Sequence, residues 1–250
     1  MVEQQIREQI CEIGRRIYAR GMVAANDGNI SVKLNEREYL CTPTGISKGY
    51  MTPECICKID ADGNVLESQG GYRPSSEMKM HMRVYKKRQD VTAVVHAHPT
   101  YATTFAIEGL PLNKPIMSEA VVTLGCVPVV EFGLPSTNEI PDALEPYLPY
   151  FDSVLLEHHG ALTWASNLTD AYYRMESLEL YAELLYRTAQ IGTGRELDSQ
   201  TVTRLCQMRE DMGQRNPQDV CLNHELQFES CEVCSRFWRN LDKKKELGGK

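Results

Sequence analysis

The chain has 250 residues and a formal net charge of −7, with 42% hydrophobic and 24% charged residues. This composition is typical of a globular protein and excludes a disordered chain, a collagen-like repeat and a coiled coil. No stretch approaches the run of roughly 18 to 20 apolar residues that a membrane-spanning helix needs. The acidic balance argues against nucleic acid or an anionic membrane as the main partner.

The nine cysteines are an odd number, which fits a secreted disulfide framework poorly. The first residues are charged from the third position onward and lack the apolar core of a signal peptide. We therefore expect reduced thiols and a cytoplasmic location. Cys55 and Cys57 alternate on a predicted strand, which favours packing over redox chemistry.

Hydrophobic spacing and turn residues predict alternating helices and strands. The first predicted elements are a helix from Ile6 to Ile17 ended by Gly21, strands at 30–32 and 38–41, and a hairpin over 56–66. Pro74-Ser75-Ser76-Glu77 then opens a helix that has Met78, Met82 and Tyr85 on its buried face. Strands over 91–95, 121–130 and 154–157 and a long helix over 168–191 follow. Strands and helices interleaved without a long linker indicate an α/β domain.

The composition of the chain changes after residue 194. The remainder holds four of the nine cysteines, three consecutive lysines and a helical pattern of Val202, Leu205, Met208 and Met212. We predict one domain over residues 1–194 and a helical, cysteine-rich appendage over residues 195–250.

Four of the six histidines lie in two short segments at predicted strand ends. His96 and His98 are two residues apart on a strand, so their side chains share one face. Because successive side chains of a strand point to opposite faces, only one of His158 and His159 can point to the same side as His96 and His98. Three neutral imidazoles with one open position are typical of a catalytic zinc site. The alternative, packed or hydrogen-bonded histidines, is weakened by this clustering.

Glu77 stands in the first turn of the predicted second helix, where a carboxylate is favoured. His81 lies one turn further on the same helical face, so the two side chains could share a metal. The flanking residues Met78 and Met82 instead favour a core or supporting role for His81. The His-Glu-x-x-His signature of zinc peptidases is absent from the sequence.

Three segments have the chemistry of an anion site. The loops Asn26–Asn29 and Thr42–Gly45 can each turn backbone N–H groups outward, and Ser75-Ser76 precedes a helix. Each segment alone is compatible with ordinary turn and cap chemistry. Their joint occurrence ahead of a metal site favours a phosphate cradle, which needs no arginine or lysine. Neither loop is a nucleotide-binding fingerprint.

These motifs together resemble the class II aldolase/adducin family over roughly residues 5 to 190, and most closely the pattern of its fuculose-phosphate aldolases. The motifs are Gly28-Asn29-Ile30-Ser31, Thr42-Pro43-Thr44-Gly45-Ile46, Pro74-Ser75-Ser76-Glu77, Val95-His96-Ala97-His98 and His158-His159-Gly160. The resemblance implies a three-layer α/β/α fold around a largely antiparallel central sheet. It also implies a homotetramer with active sites at subunit interfaces.

The resemblance further implies residue roles. His96, His98 and His159 would bind Zn²⁺ or another divalent metal, with Glu77 on or near the metal as the catalytic acid and base. The substrate phosphate would be held by Asn29, Thr44, Gly45, Ser75 and Ser76. Glu77 favours the aldolase branch, because the related epimerases typically carry Asp at this position.

The implied reaction is cleavage of a ketose 1-phosphate, such as fuculose or 5-deoxyribulose 1-phosphate, to dihydroxyacetone phosphate and an aldehyde through a metal-stabilised enediolate. The alternatives are a zinc-dependent dehydratase, acting for example on methylthioribulose 1-phosphate, or a decarboxylase of a related sugar phosphate. The chain departs from the pattern at Met117-Ser118-Glu119, where no tyrosine stands. In the family pattern a tyrosine in this region, contributed across the subunit interface, is the proton donor on the aldehyde side. Glu119 is a candidate replacement for that tyrosine.

A different class of function is a binding protein without enzymatic activity. Cys221, His224, Cys231 and Cys234 offer four ligands at zinc-knuckle-like spacing in the predicted appendage. The alternative is that these cysteines are plain surface thiols.

Overall fold

The computed structural model describes residues 2–214. Its α-helices are α1 (Glu3–Ala19), α2 (Met78–Lys87), α3 (Thr100–Glu108), α4 (Ser118–Thr123), α5 (Glu139–Leu144), α6 (Leu168–Ile191) and α7 (Ser199–Asp211). Its strands are β1 (Asn29–Lys33), β2 (Tyr39–Cys41), β3 (Cys57–Ile59), β4 (Val65–Glu67), β5 (Ala93–Ala97), β6 (Val129–Val130), β7 (Ser153–Leu156) and β8 (Gly160–Ala165). Short 3-10 turns span Lys48–Tyr50, Pro53–Cys55 and Glu145–Tyr147. Across this part of the chain, every helix is too short or too polar to cross a bilayer.

The strands form one sheet in the order β4-β3-β2-β1-β5-β8-β7-β6. Every neighbouring pair is antiparallel except β6 and β7, which are parallel. In the centre, Asn29 of β1 lies opposite His96 of β5, and His96 lies opposite Leu162 of β8. The largely antiparallel sheet confirms the predicted fold class.

Helices cover both faces of the sheet, because alternate residues of the central strands feed two hydrophobic cores. Val95 packs with α1, α3 and α6 on one face. Val94 and Trp164 pack with α2 and α5 on the other. His96 alternates with Val95 and so shares the face on which α2 lies. The arrangement is the predicted α/β/α sandwich, and it brings the beginning of α2 to the end of β5.

The predicted strand over 121–130 is wrong in its first part. Residues 118–123 form α4, and only Val129 and Val130 are extended. Val121 packs against Val202 and Cys206 of α7, so a tertiary contact overrides the preference of valine for strands. The sequence analysis also omitted β8, whose six residues are all buried. An apolar run without alternation is ambiguous between strand and helix.

Helix α7 confirms the helix predicted in the tail but not its buried face. Val202, Cys206 and Arg209 are buried, whereas Met208 and Met212 are largely exposed. The division at residue 194 stays a prediction. The candidate zinc knuckle of Cys221, His224, Cys231 and Cys234 lies outside the described residues.

Arg88 fixes the connection between α2 and β5, the two elements that lead to the histidines and Glu77. Its side chain is buried, donates to the carbonyl oxygens of Leu148 and Phe151 at 3.0 and 3.1 Å, and pairs with Asp152 at 2.7 Å. A second carboxylate, that of Asp90, lies 2.8 Å away. A buried cation satisfied in this way is costly to remove, because its partners remain buried.

We expect the Arg88→Met substitution to lower the free energy of unfolding by about 3 kcal/mol, the usual scale for breaking a buried ion pair. Chemical denaturation followed by circular dichroism measures the change. Arg187→Met is the matched control, because Arg187 pairs with Glu183 on the exposed face of α6. Equal denaturation midpoints for the two variants would contradict a structural role for Arg88.

Candidate metal centre and active site

Three histidines converge at one end of the sheet. His96 is in β5, His98 follows that strand by one residue, and His159 lies in the tight connection between β7 and β8. One ring nitrogen from each of the three lies within 4.8 Å of the other two. The Nε2 atoms of His96 and His98 are 3.1 Å apart. The structure therefore brings together the three histidines that the sequence analysis selected.

His158 is excluded from this cluster by its backbone. Its φ of 55° is in the left-handed region, which is uncommon for a residue with a side chain. The imidazole is exposed and its ring centroid lies 6.3 Å from that of Phe132. The turn thus directs His159 into the cluster and His158 outward, which settles the alternation left open by the sequence.

His96 and His98 are held in the neutral form that a metal ligand requires. The Nδ1 atom of His96 lies 2.9 Å from the carbonyl oxygen of Ala161, so it carries the proton and leaves Nε2 free to bind. Burial lowers the pKa of His96 well below its usual value and also lowers the pKa of His98. Neutral, convergent imidazoles are a donor set that fits a divalent metal such as zinc.

Glu77 closes one side of the cluster from the residue that precedes α2. Its carboxylate oxygens lie 3.1 Å from Nε2 of His159 and 3.5 Å from Nε2 of His96. The amide of Asn29 donates to Oε2 at 2.7 Å. Burial alone raises the pKa of Glu77, but its hydrogen bonds with His159 and Asn29 outweigh burial and hold this pKa below the usual value. The group is a carboxylate at neutral pH.

Two glycines allow the backbones around the cluster to approach closely. A Cβ on Gly28 would lie 2.9 Å from the carbonyl oxygen of His96, and the φ of 74° is itself unfavourable for other residues. A Cβ on Gly160 would lie 2.5 Å from the carbonyl oxygen of Ala97 and 2.7 Å from the ring of His98. Both glycines of the sequence motifs are thus required by packing against β5 and His98.

The predicted phosphate-binding segments are joined to one another beside this cluster. Pro43 and Pro74 form an isolated β-bridge. The N–H of Thr44 donates to Arg73 at 2.8 Å, and the N–H of Ser75 donates to Thr42 at 3.2 Å. The loop Thr42–Gly45 therefore lies against the residues that lead into α2.

Other polar atoms of the predicted cradle also have defined surroundings. Ser136 donates through its hydroxyl to that of Ser76 at 2.8 Å. The backbone of Gly45 is left-handed, with a φ of 76°. The Oδ1 atom of Asn29 is buried without a hydrogen-bond partner among the described residues. The Nδ2 atom of the same amide donates to Glu77 at 2.7 Å, so the amide oxygen is available to accept a hydrogen bond from a ligand hydroxyl.

His81 does not join the metal cluster. It is fully buried, and its Nδ1 atom lies 2.7 Å from the hydroxyl of Ser31, which also contacts the hydroxyl of Tyr85 at 2.8 Å. Burial lowers the pKa of His81 to about 3, so its ring is neutral. The expectation of a core or supporting residue is the one that this geometry favours.

The sequence analysis missed two partners of the histidines. Asp27 approaches Nδ1 of His98 at 3.5 Å, although its loop was selected for its backbone N–H groups. The acceptor for His96 is the backbone carbonyl of Ala161, which no side-chain motif could reveal. Glu119 is exposed at the start of α4 and accepts from Ser118 at 2.9 Å, so its role stays a prediction.

Comparison with known proteins is consistent with this site. The family described as class II aldolase and adducin N-terminal domain matches residues 8–186. A 5-deoxy-D-ribulose 1-phosphate aldolase from Bacillus thuringiensis is 32% identical over 218 residues, which cover 86% of this chain and 100% of that protein. A 3-oxo-tetronate 4-phosphate decarboxylase from Haemophilus influenzae is 33% identical over 190 residues, or 74% of this chain and 89% of that protein.

Among solved structures, an L-fuculose 1-phosphate aldolase superimposes with a TM-score of 0.75 and 28% identity, covering 84% of this chain and 96% of the other. The chain belongs to the class II aldolase and adducin family. With aldolase-named relatives and a three-histidine cluster, it is an enzyme of the metal-dependent class II aldolase type, a carbon–carbon lyase. The predicted family resemblance is confirmed.

We expect His159→Ala to weaken binding of Zn²⁺ by more than about a hundredfold. Loss of a residue that only hydrogen-bonds to a metal ligand already weakens binding by up to about a hundredfold, and loss of a ligand itself should cost more. The adjacent His158→Ala is the control and should leave zinc affinity unchanged, because the His158 ring points away from the cluster. Competition with a chromophoric chelator measures both affinities. Equal losses in the two variants would show that the turn, rather than the His159 imidazole, holds the metal.

Proposed function

We propose that this enzyme cleaves a ketose 1-phosphate into dihydroxyacetone phosphate and an aldehyde. The observation that carries the proposal is the carboxylate of Glu77, held against His96 and His159 beside the segments suited to a phosphate. His96, His98 and His159 would hold a divalent metal, for which zinc best fits the donor set. Such a metal, when bound, polarises a substrate carbonyl and offsets the negative charge of an enediolate.

Glu77 is the residue that moves a proton in this proposal. When the C3–C4 bond breaks, the C4 hydroxyl loses its proton to a base on the aldehyde side, for which Glu119 is the candidate, and C4 becomes the aldehyde carbonyl. The electron pair of the broken bond stays on C3, as the enediolate of dihydroxyacetone phosphate, and C3 must then gain a proton. In the synthetic direction, the Glu77 carboxylate takes the same proton from C3. Asn29 donates to Oε2 of Glu77 at 2.7 Å and so orients the carboxylate toward the histidines.

The phosphate would be held by Asn29, Thr44, Gly45, Ser75 and Ser76. The serines precede α2, a ten-residue helix whose N-terminal N–H groups and dipole favour an anion. The bridge between Pro43 and Pro74 places the second loop beside that helix end. A phosphate bound in a fixed place holds C3 of the substrate next to Glu77. This positioning lowers the entropic part of the activation barrier.

Two relatives support different substrates. The 5-deoxy-D-ribulose 1-phosphate aldolase is matched over its whole length, which favours a short deoxyketose 1-phosphate here. The 3-oxo-tetronate 4-phosphate decarboxylase supports a second candidate reaction, in which carbon dioxide leaves and the same enediolate is protonated. The homotetramer with interfacial active sites and the cytoplasmic location stay predictions.

A substrate panel distinguishes these reactions. We expect chelator-sensitive release of dihydroxyacetone phosphate from at least one of fuculose, rhamnulose, 5-deoxyribulose and methylthioribulose 1-phosphates. Release of carbon dioxide from a 3-oxo-tetronate 4-phosphate, with no aldehyde from any ketose, would favour the decarboxylase. Loss of water from methylthioribulose 1-phosphate without carbon–carbon cleavage would favour a dehydratase.

We expect Glu77→Gln to lower turnover by about two to four orders of magnitude, the usual contribution of a general acid or base. The zinc content and the affinity for dihydroxyacetone phosphate should be retained, because the amide keeps the shape of the side chain. Steady-state kinetics and metal analysis of the purified variant measure these quantities. Near-normal turnover would rule out the proton-transfer role of Glu77.

A further inference from the structure

Lys48 is a buried cation that the proposed reaction has not used. It lies in the 3-10 turn Lys48–Tyr50 and is only 1% exposed. Lysines are almost never fully buried unless their ammonium group is paired, because transfer of the charge out of water is costly. The partners of this ammonium therefore indicate what the residue does.

The Nζ atom of Lys48 donates to two backbone carbonyls, that of Asn26 at 2.8 Å and that of Ile46 at 2.9 Å. Asn26 begins the loop that carries Asn29. Ile46 follows directly on Gly45 in the other loop of the predicted phosphate cradle. One ammonium group thus ties together two loops that are separated in the sequence by strands β1 and β2.

The cover over Lys48 comes from α1. A Cβ on Gly14 would lie 2.7 Å from the carbonyl oxygen of Lys48 and 2.4 Å from the end of Met51. Glycine at this position of α1 lets the helix pack directly on the turn and exclude water from it. The ammonium is held by its two carbonyl partners, and α1 packs on the backbone of the turn that carries it.

The charge of Lys48 is retained in this surrounding. Burial lowers the pKa of Lys48 to about 8, and the nearby carboxylates of Asp27 and Glu77 act in the opposite direction. A pKa of about 8 leaves the ammonium mostly protonated at neutral pH. A positive charge beneath the two loops would favour an anion bound above them.

We propose that Lys48 is a positioning residue for the substrate phosphate: its buried ammonium joins the loops 26–29 and 42–46 and places a positive charge beneath them. The inference rests on the proposed function, and it replaces the expectation that the cradle needs no lysine. Lys48 acts through these loops and has no role in proton transfer.

The test is calorimetric titration of the zinc-loaded, full-length protein with two probes. Dihydroxyacetone phosphate reports on the phosphate cradle, and acetohydroxamate binds the metal without any phosphate. We expect Lys48→Met to weaken binding of dihydroxyacetone phosphate by about tenfold or more, the scale of hydrogen bonds to charged groups. The affinity for acetohydroxamate should be unchanged, which a general collapse of the site would not allow.

Lys58→Met is the matched control. Lys58 lies in β3, away from the histidines, and is also mostly buried. Its ammonium pairs with Glu3 at 2.7 Å. This variant should bind both probes as the wild type does. Equal affinity of wild type and Lys48→Met for dihydroxyacetone phosphate would overturn the inference, as would equal loss of both probes. Failure of the wild type to bind dihydroxyacetone phosphate would overturn the proposed function as well.

A second measurement avoids the risk that Lys48→Met fails to fold. In the wild-type protein labelled with ¹⁵N-lysine, the buried ammonium of Lys48 should give a slowly exchanging NMR signal. Titration with dihydroxyacetone phosphate should shift that signal and leave the signal of Lys58 in place. A Lys48 signal that does not respond, while the phosphate ester binds, would contradict the proposal.

Discussion

The antiparallel pairing of β5 with β1 and β8 is the constraint on which the site depends. Asn29 lies opposite His96, and His96 lies opposite Leu162, so residues far apart in the chain reach one end of the sheet. Directly opposed residues share a face, which puts Asn29 and His96 together beneath the start of α2. Because side chains alternate along a strand, a slip of one residue would turn His96 into the opposite core.

The charged and polar groups beside the histidines, rather than the net charge of the chain, set the electrostatics of the site. The chain has a net charge of −7, which would repel a phosphate ester at long range. Near the histidines, burial keeps His96 and His98 neutral, so the metal centre adds no repulsion among cations. The proposed phosphate site uses serine hydroxyls and a helix N-terminus as short-range donors, and the buried ammonium of Lys48 lies beneath its loops. An acidic protein can bind an anion in this way because exposed charges are screened by salt, whereas buried ones are screened much less.

The two sides of the proposed reaction are built differently. The metal side and the phosphate side come from one chain, through β5, the β7–β8 connection and the residues before α2. The acid on the aldehyde side stays a prediction, which rests on the family resemblance and concerns the region Met117-Ser118-Glu119. Ser118 and Glu119 of this region are exposed on α4.

The sequence by itself selected the three histidines and Glu77, which the structure brings together, and predicted most of the elements that carry them. The spacing of His96 and His98, the helix that follows Ser75-Ser76-Glu77 and the long helix α6 are local properties, set by side-chain periodicity and helix-capping preferences. The tertiary structure decided between His158 and His159, because the left-handed backbone of the turn is imposed by the pairing of β7 with β8. It also decided that α4 is helical, through the contact of Val121 with α7. The partners of His96 and Lys48 are backbone carbonyls, which every residue possesses, so only the folded chain could identify them.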